Sequence, residues 1–117
     1  MKFAKELIEG LSEKHLLKHE FYTAWSAGTI PMETLRLYAQ QYYHHVKAFP
    51  RYLSATHSQC EQISARQFLL ENLNDEEQGS ENHPELWLRF AEGLGVPRTE
   101  MENPVLLNET RELVQAF

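Results

Sequence analysis

The apolar positions of the chain recur at helical spacing almost throughout. Phe3, Leu7 and Leu11 fall one turn apart, so residues 2–11 are predicted to form a helix. The segment LLKHEFYTAW follows, and the chain meets a natural helix stop at Ala27-Gly28. Thr29-Ile30-Pro31 then opens the longest helix, with Pro31 in the first turn, where its missing N–H would be unpaired anyway. Along it, Leu35, Tyr38, Tyr42, Val46, Phe49 and Leu53 step by 3 or 4 residues and predict one buried stripe. Arg36, Gln40, His44, Lys47 and Arg51 predict the wet side. Pro50 predicts a kink or a split near Ala48.

A third helix is expected from about Gln59 to Glu77, and a fourth from Pro84 to Gly93 or Gly95. NETRELVQAF opens a fifth, with Asn108 as its cap and Arg111 and Glu112 in its first turns. Nothing reads as a strand, a repeat or a low-complexity segment. The expected fold class is all-α, a helical bundle forming a single domain over residues 1–117.

Composition narrows the functional classes. The chain has 117 residues, 42% hydrophobic and 24% charged, values of a globular protein with a modest core. No apolar run approaches the ~20 residues of a membrane helix. The opening MKFAKELIEGL carries charges where a secretory signal would be apolar. The one cysteine, Cys60, excludes an internal disulfide and a cysteine-rich zinc site. It has no basic neighbour and reads as a buried thiol. The location expected from these features is cytoplasmic. A net charge of −6 with scattered lysines and arginines argues against nucleic acid as a partner, and nothing points to a membrane. Lys47 and Arg51 come nearest to a basic patch and read as a solvated face.

The stretch NDEEQGSENHPELW, residues 74–87, carries the clearest candidate chemistry. Ala65, Leu69, Leu73 and Glu76 step by 4, 4 and 3, so Glu76 continues an apolar stripe. His83, Trp87, Phe90 and Leu94 step by 4, 3 and 4, so His83 heads the stripe of the next helix. Gly79 and Pro84 break the chain between them, which would bring one helix end near the next helix start. A carboxylate facing a core must be paired, protonated or bound to metal. Carboxylate and imidazole together suit iron or manganese. The alternative is a His83 that caps the fourth helix and a Glu76 at a frayed end in water. No glutamate is followed by histidine three residues later, as a complete four-helix di-metal site would show. His15 and His19, in HLLKH, read as an exposed turn rather than a zinc clip. His45 borders the predicted buried stripe and reads as a hydrogen-bonded core histidine, with a catalytic histidine as the alternative. Five tyrosines give an aromatic wall with polar tips, which suits a core and also suits oxidative chemistry.

Four blocks carry a resemblance: LLKHEFYTAWSAGTI, YAQQYYHHVKAFPRYLSATHSQC, LLENLNDEEQGSENHPELWLRFAEGLGV and NETRELVQAF. Together they resemble the heme-oxygenase-like di-metal oxidases, in particular the CADD-like branch, relatives of the PqqC and TenA families. The resemblance extends over essentially the whole chain. It implies a helical bundle around a cavity in which iron, manganese or a mixed pair, held by Glu and His, activates oxygen. By position those ligands fall on Glu76 and His83. CADD-like proteins make para-aminobenzoate for folate synthesis from one of their own tyrosines. The tyrosines carried over by motif are Tyr22, in HEFYTAW, and Tyr38, in LRLYAQQYY. Molecular oxygen and a reductant are the implied partners. Family chains are longer, with further ligands in C-terminal helices, so the match is to the family's N-terminal half. One copy is therefore expected to hold an incomplete site, which a homodimer could pair with a second. The resemblance leaves two other functions open: a metal-independent enzyme of the TenA or PqqC type, and a non-enzymatic helical interaction module.

Overall fold

The computed structural model describes residues 2–103 and 105–116. The chain forms two compact units, Met1–Met32 and Glu33–Phe117. Every regular element among the described residues is helical. None of these helices is long and apolar enough to cross a membrane.

The first unit holds α1 (Lys2–Leu11), two 3-10 turns (Ser12–Lys14 and Leu16–Lys18) and α2 (Glu20–Ala27). In α1 the apolar line of Phe3, Leu7 and Leu11 is exposed. His15 and His19 both act as caps. His15 Nδ1 accepts the Leu17 N–H at 3.2 Å, and His19 Nδ1 accepts the Phe21 N–H at 3.1 Å. These bonds satisfy N–H groups that a helix start leaves unpaired. The HLLKH spacing thus sets two helix starts. Gly28 ends α2 at φ 69°, the left-handed stop that glycine adopts without strain.

The second unit holds α3 (Met32–Gln59), α4 (Ile63–Glu77), α5 (His83–Gly93), α6 (Arg98–Glu102) and α7 (Asn108–Ala116). Of the kink or split expected near Ala48, the split does not occur, and α3 runs through Pro50 for 28 residues. Proline inside a helix costs roughly 3 kcal/mol. Ala48 and Pro50 are themselves buried, so packing at the site of the defect offsets that cost. Arg66 ends α3. Its Nη1 donates to the carbonyls of His57 at 2.7 Å and Cys60 at 2.9 Å, which places the α3–α4 break at residues 60–62. Cys60 lies in that break and is only partly buried, not enclosed as expected.

The tight core is formed by Ala39, Tyr43, Leu88, Ala91, Val96 and Met101. It lies one residue round α3 from the predicted stripe. Tyr42 and Phe49 remain 36% and 38% exposed, while Ala39 is fully enclosed. The predicted wet side is correspondingly engaged. Arg36 Nε donates to the Leu94 carbonyl at 2.7 Å, and Gln40 reaches Glu100 at 3.5 Å. The small side chains of Ala39 and Ala91 bury completely, and the bulky residues beside them are left to line a cleft. Buried Gln41 fixes the segment before α7, donating to Val105 O at 3.1 Å and accepting from Leu107 N at 2.9 Å. Arg98 ties α6 to α5 through Glu85 at 2.7 Å and Glu92 at 2.6 Å. The Arg98 guanidinium holds the Glu85 carboxyl at about 2, well below its ordinary value.

Candidate functional site

The turn between α4 and α5 builds the site. Gly79 takes φ 82°, which lets the chain leave α4 sharply. Asn82 then ties the turn together. Its Nδ2 donates to Gly79 O at 2.8 Å and its Oδ1 accepts the Glu85 N–H at 3.0 Å. The capping role considered for His83 therefore belongs to Asn82. With Pro84 in the first turn, α5 starts at His83, one residue past its cap.

Glu76 occupies the last turn of α4 and points at His83. His83 Nδ1 and Glu76 Oε1 are 2.8 Å apart, and the two side chains are 50% and 13% exposed, respectively. Glu76 is therefore not a frayed residue in water. It is a largely enclosed carboxylate satisfied by an imidazole. A separation of 2.8 Å suits a shared proton. It also approaches the roughly 3 Å between adjacent ligand atoms of an ion with bonds of about 2.1 Å. The donor types fit iron or manganese. Among the described residues no group of three or more His, Cys, Asp or Glu side chains could hold a metal together. The pair therefore stands as two donor atoms side by side, with no third such side chain beside them among the described residues.

The pair opens into a pocket of about 480 Å³ formed by α3, α4 and α5. Tyr42, Phe49, Trp87 and Phe90 supply aromatic walls, Val46 and Leu86 aliphatic ones, and His45 joins Glu76 and His83 as polar lining. Trp87 anchors this wall. Its Nε1–H donates to Ala39 O at 2.8 Å, and its ring lies 5.1 Å from Tyr42 and 5.0 Å from Phe90.

The four sequence-predicted site residues are placed differently. Glu76 and His83 are together. Tyr38 lies behind the wall, stacked on Tyr42 at 5.3 Å and edge-on to Trp87 at 5.7 Å. Tyr22 belongs to the first unit, edge-on to Phe21 at 5.2 Å. Tyr42 and His45, which the helical period assigns to the core side, line the pocket. Their stripe was visible, but periodicity does not tell a buried stripe from one facing a cleft. His45 also departs from the expected hydrogen-bonded core histidine, because its Nδ1 is buried with no hydrogen-bond partner among the described residues.

The TENA/THI-4/PQQC family matches residues 9–117. A protein of Chlamydia muridarum named 4-aminobenzoate synthase is 49% identical over 102 residues, covering 87% of this chain and 43% of that protein. The protein of that name from Chlamydia pneumoniae is 45% identical, covering 95% of this chain and 50% of its own length. That of Nitrosomonas europaea is 41% identical, covering 98% and 50%. The chain spans about half the length of the curated relatives it matches. With the family match running from residue 9 to the last residue, this chain belongs to the TENA/THI-4/PQQC family.

Proposed function

We propose that this chain carries part of the active site of an oxygen-activating non-heme metal oxidase that forms 4-aminobenzoate. Glu76 and His83 are two of the metal's ligands in this reading. The ring of the product comes from one of the protein's own tyrosines, Tyr22 or Tyr38. The names of the relatives support the product. The observation that carries the chemistry is the enclosed Glu76 carboxylate held 2.8 Å from His83 at the polar end of an aromatic pocket.

A bound iron or manganese ion supplies the oxygen chemistry; molecular oxygen and a reductant are the co-substrates. The chain's own residues do the rest. Glu76 offers a negative oxygen that is itself only 13% exposed, which strengthens its attraction for a cation. Asn82 fixes the start of α5 and so aims His83 at Glu76. The rings of Tyr42, Phe49, Trp87 and Phe90 give the pocket apolar walls and shape a slot for a planar group. Tyr38, stacked on Tyr42, is the candidate tyrosine in the same unit as the pair.

The test is metal content per chain after anaerobic loading with iron and manganese. Bound metal that is lost in His83→Ala is the expected result. A folded chain that binds no metal overturns the ligand assignment. Activity that survives thorough chelation would favour a metal-independent enzyme instead. For the tyrosines, rescue of a 4-aminobenzoate auxotroph should fail with Tyr22→Phe or Tyr38→Phe. Rescue by both variants ends the self-supplied ring.

A further inference from the structure

We propose that His45 is the hydrogen-bond donor of the aromatic pocket, presenting Nε2–H to the oxygen of a bound phenolic ring. This rests on the reading of the pocket as the active site and adds the group that orients its aromatic ligand.

His45 lies on α3 between Tyr42 and Phe49, at ring distances of 5.3 and 6.0 Å, with Tyr52 at 6.2 Å. Three rings fix its plane. Its Nδ1 is sealed from solvent and has no hydrogen-bond partner among the described residues, yet the residue lines the pocket. The nitrogen left for the pocket is therefore Nε2. Protein interiors tolerate a bare buried acceptor better than a buried N–H without an acceptor. The neutral ring consequently keeps its proton on Nε2, and His45 meets the pocket as a donor.

The other polar groups complement this assignment. Glu76 and His83 are already committed to each other at 2.8 Å. The Glu76 carboxylate disfavours a second anion beside it, so a neutral hydroxyl suits the pocket better than a carboxylate. The walls are aromatic on several sides, which selects a planar ring. A ring bearing one neutral oxygen, a phenol, meets all three conditions.

The test uses the 117-residue chain without metal, with p-cresol as probe and toluene as its oxygen-free counterpart. Long-range proton–nitrogen spectra at about pH 8, above the ordinary histidine range, read the tautomer directly. The expected form for His45 is protonated at Nε2, and protonation at Nδ1 overturns the proposal. Binding is followed by Trp87 fluorescence in a Trp25→Phe background. His45→Phe should weaken p-cresol roughly five- to tenfold, the value of one hydrogen bond, and leave toluene unchanged. His45→Gln, which keeps an N–H donor, should restore most of the loss. Equal weakening of both rings, no weakening of p-cresol, or binding of neither ring overturns the proposal. If His45→Phe does not fold, the tautomer and the His45→Gln titration decide. Because no metal is present, failure here leaves the Glu76–His83 assignment standing, and loss of metal binding would leave this one standing.

Discussion

His44 and His45 are sequence neighbours with different surroundings, and His44 has a consequence for stability. It is half-buried, and its Nε2 is enclosed with no hydrogen-bond partner among the described residues. Burial lowers its pKa, the Lys47 ammonium lowers it further, and a hydrogen bond to the Met101 backbone only partly opposes them. The folded value therefore lies below the unfolded one, about 6.5. As pH falls through that unfolded value, the unfolded chain takes up the proton first. The stability contributed by neutral His44 is full above about pH 6.5 and is lost as pH falls towards and through the folded value. The urea midpoint of the chain should accordingly fall between about pH 7 and pH 5, and His44→Asn should flatten that slope. An unchanged slope in the variant would show that His44 does not titrate differently in the two states.

At the scale of elements, the α4–α5 turn links fold to site. Asn82→Ala removes the cap bond to the Glu85 N–H and should cost about 1 kcal/mol in urea unfolding. It should also weaken metal loading, though less than His83→Ala, because His83 remains but is aimed less well. Asn82→Asp keeps the capping oxygen but loses the Nδ2–H bond to Gly79 O, so it should recover only part of both. Stability lost with unchanged metal loading would separate the turn from the site. Much of this was legible in the sequence. The Ala27-Gly28 stop, the Asn82-His83-Pro84 helix start and the inward run to Glu76 follow from local rules of caps, glycine and period. Two features were not. The five-residue α6 is held by Arg98 binding Glu85 and Glu92, contacts 13 and 6 residues apart that no local window shows. The face that α3 buries was displaced by one residue, so Ala39 and Tyr43 pack into the core and Tyr38 and Tyr42 do not. Hydrophobicity ranks both tyrosine stripes as inner, and the choice between them is set by packing against Leu88, Ala91 and Met101, which no local window shows.

At the scale of the molecule, the pocket depends on a small core packed behind its Trp87 and Phe90 walls. Its α3 and α5 walls are held by Ala39, Tyr43, Leu88 and Ala91, and that group is closed from the α6 side by Val96 and Met101, both essentially fully buried. A helix as short as α6 has no stability of its own, so its buried Met101 retains it together with the Arg98 ion pairs. Met101→Ala should cost roughly 2–5 kcal/mol. Domains of this kind are stable by only about 5–15 kcal/mol, so that loss is a large share of the total. Met101→Leu nearly conserves volume and should cost less than about 1.5 kcal/mol. The two tryptophans allow this to be read locally, since Trp25 lies in the first unit and Trp87 in the second. In a Trp25→Phe background, Trp87 fluorescence should show the urea midpoint fall steeply for Met101→Ala and little for Met101→Leu. The bond from Trp87 to Ala39 should be lost in the same transition, because it joins the two helices that the core holds together. A Met101→Ala protein within about 0.5 kcal/mol of the parent would place Met101 among ordinary surface positions. The pocket would then draw its rigidity from the α4–α5 turn instead of the α3–α5–α6 core.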